Sequence, residues 1–226
     1  FFAVFFALIM RSLQLGTYQH MFRNVIESYT GYLQVQNADF WDNKNIDNLL
    51  DYTPELEKKI LSDNNAIITV PRFESFGLAS SGTLTKGVLV IGIDPGKETY
   101  LSNVKGKLVK YRLSESNIED LKKSDIPEKL KKKLNLFKGN AYSGEASLMM
   151  ELGINEKDSG TIFPELRKYA SFNNGYIKTG EPGAIVGDKL ATFLKVGIGD
   201  TLVLIGQGYH GTTAAGKFRI TGVIKM

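Results

Sequence analysis

The chain opens with ten consecutive apolar residues, Phe1 to Met10, and its first charge, Arg11, comes only after them. This run is too short to cross a bilayer, because a membrane-spanning helix needs about 20 apolar residues. It also differs from a signal peptide, in which positive charge precedes the apolar region. Two interpretations remain: part of a membrane helix, or a buried helix or strand of a soluble domain.

The residues after Arg11 favour the membrane helix. Residues 11–29 contain no proline, and apolar side chains recur there at helical spacing, namely Leu15, Tyr18, Phe22, Val25 and Ile26. The chain does not begin with methionine, and we expect it to be cut from a longer one. Residues 1–10 are therefore predicted to be the C-terminal half of a transmembrane helix, and residues 11–30 a stalk helix that continues it.

Beyond the stalk, the composition is that of an ordinary folded chain, with 42% hydrophobic and 23% charged residues. Thr53 and Pro54 predict a helix start, since threonine caps helices and proline suits the first helical position. A short helix is predicted at 188–194, and strands at 32–36, 66–70, 83–93, 184–187, 201–205 and 217–224. The continuous apolar character of 88–93 predicts a strand buried on both faces. Short helices and strands interleave without a regular βαβ repeat, which indicates an α+β fold.

Two residue types that catalysis and metal binding often use are absent or scarce. There is no cysteine, which excludes disulfides, thiolate metal sites and a cysteine nucleophile. The two histidines, His20 and His210, are too few for a histidine metal cluster, and we interpret each as a surface or packing residue.

One segment resembles a phosphate-binding loop. Residues 211–217 match the first seven positions of G-x-x-x-x-G-K, but Phe218 stands where a serine or threonine would bind magnesium. Residues from Lys217 onward alternate as a strand does, so we interpret 206–216 as a long β-hairpin loop. We expect no enzyme activity, bound metal or cofactor in this chain.

The positive charge is concentrated in the middle of the chain. Residues 105–138 contain 11 basic and 5 acidic residues, a net of +6, whereas the whole chain carries +4. A soluble lysine-rich module that binds nucleic acid or anionic lipid is therefore an alternative function. Acidic residues are interleaved, however, and apolar residues recur at helical spacing, namely Leu121, Ile126, Leu130, Leu134 and Phe137. A solvated amphipathic helix broken at Pro127 is favoured.

Three apolar residues join two strand-like runs. Phe73, Phe76 and Leu78 would form a hinge, an exposed contact surface or part of the core, and core is the default because phenylalanine is usually buried. Together with Tyr209 and His210 of the glycine-rich loop, they are the candidate partner-binding residues.

Several segments carry recognisable patterns. They are Leu13–Tyr18 with Glu27–Gln36, Val90–Glu98, Ala184–Ala191 with Leu194–Asp200, and Phe218–Ile224. In the same order, they resemble segments of lipoprotein-releasing ABC transporter permeases (LolC/LolE type). Val90–Glu98 is similar to that family's G-[IV]-[DN]-P-x-x-E turn, and Ala184–Asp200 to its I-I-[IL]-G-x-x-L-A…L-x-V-x-x-G-D stretch. Residues 105–180 match least.

The resemblance implies a MacB-like periplasmic core domain of an FtsX-like permease. Such a domain follows the first membrane helix and has a porter-like lobe, built from both flanks, and an inserted central lobe. The implied porter-like parts are 31–96 and 183–226, and the implied inserted variable lobe is 97–182. The implied location is the periplasmic side of the bacterial inner (cytoplasmic) membrane.

The resemblance also implies partners. These are a cytoplasmic ABC ATPase subunit that binds ATP, a second permease copy or paralogue, the membrane, and a lipoprotein substrate with its periplasmic carrier; nucleic acid is not expected. In that family a protruding loop recruits the carrier, and its residues have no match here. Lipoprotein release, macrolide or peptide export, and regulation of a cell-division partner therefore all stay open.

Overall fold

The computed structural model describes residues 2–26 and 31–225. Their structure is 43% helix and 23% strand, which confirms the predicted α+β class. The helices are α1 (Phe2–Val25), α2 (Pro54–Leu61), α3 (Glu98–Leu101), α4 (Glu115–Lys123), α5 (Glu128–Leu134), α6 (Glu145–Leu152), α7 (Glu156–Tyr169) and α8 (Asp188–Leu194). The strands are β1 (Arg72–Ser81), β2 (Leu84–Ile93), β3 (Tyr111–Arg112), β4 (Ala141–Tyr142), β5 (Gly183–Gly187), β6 (Thr201–Gln207) and β7 (Thr213–Ile224).

Five strands form one mixed sheet in the order β2-β1-β6-β7-β5, and β3 pairs with β4 in a separate two-stranded sheet. In the larger sheet β6 lies antiparallel to β1 and β7, whereas β5 lies parallel to β7. Strands β1 and β2 come before the central segment of the chain, and β5 to β7 come after it. The sheet is therefore built from both flanks of the sequence.

The chain divides into two compact units. Unit 1 consists of Phe1–Ser75, Ile91–Asn103 and Gly208–Thr212, and unit 2 consists of Phe76–Val90, Val104–Gln207 and Thr213–Met226. The sheet lies in unit 2, apart from the ends of β1 and β2 at 72–75 and 91–93. The sequence-based division at 31–96, 97–182 and 183–226 has other boundaries and stays a prediction.

Unit 2 contains two clusters of buried apolar side chains. One lies around the sheet and α8, with Ala79, Leu194, Leu202 and Ile220 at its centre. The other joins the central helices α4 to α7, and its most buried members are Leu113, Leu121, Leu134, Leu148 and Leu166. The predicted amphipathic helix broken at Pro127 is confirmed, because α4 ends at Lys123, α5 begins after Pro127, and the predicted leucine face is buried.

In unit 1, helix α1 is continuous over 24 residues. Every side chain from Phe2 to Phe22 is exposed. None of the helices in the described part of the chain has the length and apolar content that a membrane span requires. Residues 27–30 of the predicted stalk lie outside the described residues. Helix α2 begins as predicted, with the Thr53 hydroxyl accepting a hydrogen bond from the Leu56 N–H at 3.2 Å and Pro54 following.

Three strand predictions differ from the structure. Residues 32–36 and 66–70 are irregular. In the first of these segments the consecutive residues Tyr32 and Leu33 are both exposed, so its alternating pattern does not pack on a sheet. Residues 84–93 do form β2, but as an edge strand, and Leu89 is 46% exposed instead of buried. The predicted long loop at 206–216 is shorter, because β6 and β7 pair as far as Gln207 and Thr213.

Candidate functional site

The predicted core position of Phe73, Phe76 and Leu78 is wrong, because their exposed fractions are 36%, 74% and 48%. Alternation along β1 explains the last two. Ala79 points to the buried side of the sheet and is 0% exposed, so Leu78 and, two residues earlier, Phe76 point to the opposite side.

Strand register extends this apolar surface across unit 2. Leu78 lies opposite Ile205 of β6, and Ile205 in turn lies opposite Ala215 of β7. On β2, the Thr85 hydroxyl donates to the Ser80 hydroxyl at 3.1 Å, which places Thr85, and with it Leu89, on the same side as Leu78. We call Phe76, Leu78, Leu89, Val203, Ile205 and Ala215 the outer strip. It carries apolar side chains and suits contact with another apolar surface.

The other two candidates lie in unit 1, on the short loop Gly208–Thr212. The His210 N–H donates to both carboxylate oxygens of Asp47, at 2.9 and 3.2 Å, which fixes the loop. His210 has a left-handed backbone with φ of 54°, and its side chain is 90% exposed. Tyr209 is 57% exposed. Both rings are available to a partner, and the five candidates are divided between the two units.

The glycine motif has the wrong backbone for a phosphate-binding loop. Residues 213–217 belong to β7, which continues to Ile224 as a strand. A phosphate-binding loop must instead turn into the N-terminus of a helix, whose amide groups hold the phosphate. The prediction of a β-hairpin is confirmed, but its loop is limited to residues 208–212.

Sequence reasoning missed a polar network in unit 1. Lys97 Nζ donates to Glu57 Oε1 at 2.5 Å and to the Tyr52 hydroxyl at 3.1 Å. The Thr69 hydroxyl donates to the same carboxylate at 2.9 Å. The bond from Lys97, followed by those from Thr69 and Tyr52, lowers the pKa of Glu57 to about 2, and Glu57 raises the pKa of Lys97. Both groups are charged at neutral pH, so the pair is suited to holding α2 against the 94–97 turn rather than to proton transfer.

The turn that follows β2 explains the residue types of the G-[IV]-[DN]-P-x-x-E pattern. Asp94 Oδ1 accepts hydrogen bonds from the Gly96 and Lys97 amides at 2.9 and 3.3 Å. Glu98 is 1% exposed, and its carboxylate binds the Arg72 guanidinium and accepts from the Ser102 hydroxyl. Aspartate shapes the turn and glutamate ties it to the start of β1. The sequence showed both acidic residues, but gave no signal for the partner Arg72.

The lysine-rich helices neutralise part of their own charge. Lys131 pairs with Glu128 at 3.1 Å, Lys123 with Asp120 at 3.6 Å, and Lys138 with Glu115 at 2.5 Å. Among residues 2–26 and 31–225, acidic and histidine side chains form no group of three that could hold a metal ion.

A scan against models of known protein families finds no match for this chain, and a search of curated proteins finds none either.

Proposed function

We propose that this chain is the periplasmic domain of an ABC transporter permease subunit of the lipoprotein-releasing type. In this role it couples ATP hydrolysis by a separate ATPase subunit to the extraction or export of a substrate across the cell envelope. The observation that carries the proposal is helix α1, which is apolar from Phe2 to Met10, exposed throughout that stretch, and continuous with the polar residues after Arg11.

The exposed apolar side chains at the start of α1 favour contact with an apolar environment. Phe2 is 74% exposed, Leu8 64% and Met10 68%. Burying one such side chain is worth about 1.5–3 kcal/mol, so nine adjacent apolar residues strongly favour an apolar environment. Nine helical residues extend about 14 Å, roughly half of the hydrocarbon core of a bilayer. Lipid is the natural cover in this proposal.

The continuity of α1 supports a role in transmitting movement. A helix of 24 residues is about 36 Å long. No proline interrupts it, so a displacement of the apolar end is transmitted along one rod to the polar end. A permease that passes conformational change from a cytoplasmic ATPase to an outer domain needs such an element.

The sheet and the central helices support the implied lobes. Strands from both flanks of the chain form the five-stranded sheet, in the way that a porter-like lobe is assembled. Residues from Tyr111 to Ala170 bury an apolar cluster of their own, which suits an inserted lobe. The substrate and the carrier remain expectations from the resemblance.

The test is purification of the full-length protein from detergent-solubilised membranes. We expect an ATPase with the sequence G-x-x-x-x-G-K-[ST] to remain bound and to hydrolyse ATP. Retention of no such ATPase would overturn the proposal.

A matched pair of variants tests the role of α1 in the same membranes. Leu8→Asp puts a charge in the apolar stretch, which costs about 2.5–3.5 kcal/mol at the centre of a bilayer. Gln19→Asp puts the same charge in the polar half of the helix. We expect Leu8→Asp alone to reduce the amount of protein in the membrane fraction, and equal behaviour of the two variants would contradict a lipid cover.

A further inference from the structure

Strand β2 leaves one long side of the sheet open. Within the described part of the chain, β2 has a neighbouring strand on one side only, because it is the first strand of the order β2-β1-β6-β7-β5. It is 10 residues long. The strand at the opposite edge, β5, has 5 residues and leads directly into α8.

An edge strand with free backbone N–H and C=O groups pairs readily with another strand, and proteins usually protect such edges with charge, proline, bulges or short length. In β2 the sequence has no proline and a single charge, Lys86. Lys86 Nζ lies 5.2 Å from the centre of the Phe193 ring in the same unit, so this charge has a contact within the chain. Residues 87–93 are uncharged, and Leu89 is 46% exposed.

We propose that β2 pairs antiparallel with β2 of a second copy of this chain, about a two-fold axis at Leu89. The strand is complementary to itself in this register. Leu89 lies opposite Leu89 of the other copy, Val88 opposite Val90, and Gly87 opposite Ile91, so uncharged, apolar residues face one another across the contact.

Charge also fits this register. Lys86 lies opposite Gly92, and the two copies of Lys86 are six residues apart along the paired strands, which is about 20 Å. This distance is about twice the Debye length at 0.1 M salt, so the two charges do not oppose pairing. The contact uses the same surface on both copies and therefore closes at a dimer, which leaves no open edge at β2.

The pairing also extends the outer strip. Leu89 lies on the same side of the sheet as Leu78, so two copies joined at β2 bring two strips together as one surface. The inference goes beyond the proposed function and does not depend on it, since it uses only β2 and its neighbours.

Disulfide cross-linking of single-cysteine variants tests the pairing, because the chain has no cysteine of its own. Directly opposed residues in an antiparallel pair have Cα atoms about 4.5–5.5 Å apart, within the range of a disulfide. Leu89→Cys is therefore expected to form covalent dimers under mild oxidation of the full chain in detergent.

Leu78→Cys is the matched control, since Leu78 is 48% exposed and on the same side of the sheet, but one strand further in. Any association through the apolar helix α1 affects both variants equally. We expect at least tenfold more covalent dimer for Leu89→Cys. Equal yields for the two variants overturn the proposal, whatever the outcome of the ATPase purification.

A spin label at Thr85→Cys tests the register. Two copies of Thr85 are eight residues apart along the paired strands, so their Cα atoms are expected about 27 Å apart. A distance set by another register, or no defined distance, contradicts the pairing at Leu89.

Discussion

Replacing the buried carboxylate Glu98 by alanine is expected to destabilise unit 1 by about 3–5 kcal/mol. The side chain of Glu98 is 2% exposed and that of Arg72 is 13% exposed, so the guanidinium stays largely buried when its partner is removed. The main cost is the loss of the carboxylate that binds this buried guanidinium. The Ser102 hydroxyl also loses its acceptor, which adds about 1 kcal/mol.

Amide hydrogen exchange measures this effect within unit 1. The amides of Tyr100 and Ser102 are hydrogen-bonded to the carbonyls of Lys97 and Glu98, at 3.0 and 2.9 Å, and they report on opening of this turn. A loss of 3–5 kcal/mol corresponds to exchange that is roughly 10²- to 10⁴-fold faster. Asp51→Ala is the control, because Asp51 is an exposed carboxylate of the same unit; its effect is expected within about 0.5 kcal/mol.

A double variant separates the buried charge from the lost contact. Arg72→Met with Glu98→Ala removes the guanidinium together with its carboxylate, so we expect slower exchange than in Glu98→Ala alone. The reasoning is refuted if Glu98→Ala exchanges like Asp51→Ala, or if the double variant exchanges faster than Glu98→Ala.

Three further predictions concern single residues. Lys97 holds the pKa of Glu57 near 2 instead of 4.5, so the stability from this pair is complete above pH 4.5 and falls as the pH drops toward 2. In urea unfolding, the Glu57→Gln variant should lose this pH dependence of stability. The same pH dependence in the variant and the original protein contradicts this prediction. Gly222→Ala should cost about 1–3 kcal/mol in urea unfolding, since its Cβ would overlap the Gly175 carbonyl oxygen, whereas the open position Gly87→Ala should cost less. Gly160→Ala should stabilise α7 by about 0.5–1 kcal/mol, and a lower melting temperature contradicts this.

Local signals predicted local structure well. Thr53 and Pro54 marked the start of α2, and Pro127 marked the break between α4 and α5, because capping and proline geometry act on neighbouring residues. Helix α7 was missed, since Gly160 and Pro164 lie inside it and both oppose helix formation. Its burial of Ile162 and Leu166 outweighs them.

Sequence patterns did not predict contacts between residues that are distant along the chain. Arg72 and Glu98 are 26 residues apart, and neither sequence segment contains a pattern that predicts their contact. The exposure of Phe76 and Leu78 depends on which side of the sheet packs on the core, and alternation along β1 does not decide this. The edge position of β2 likewise follows from the strand order, which the sequence does not show. For that reason, the continuous apolar run of β2 was predicted to be a strand buried on both faces.

The most direct measurement of the central claim is labelling of a single cysteine from one side of the membrane. Lys129 is exposed on α5, so Lys129→Cys in the full-length protein is accessible to a membrane-impermeant maleimide wherever the domain meets solvent. The proposal that α1 displays this domain on the periplasmic side predicts equal labelling of right-side-out vesicles before and after lysis. Labelling that appears only after lysis would contradict it.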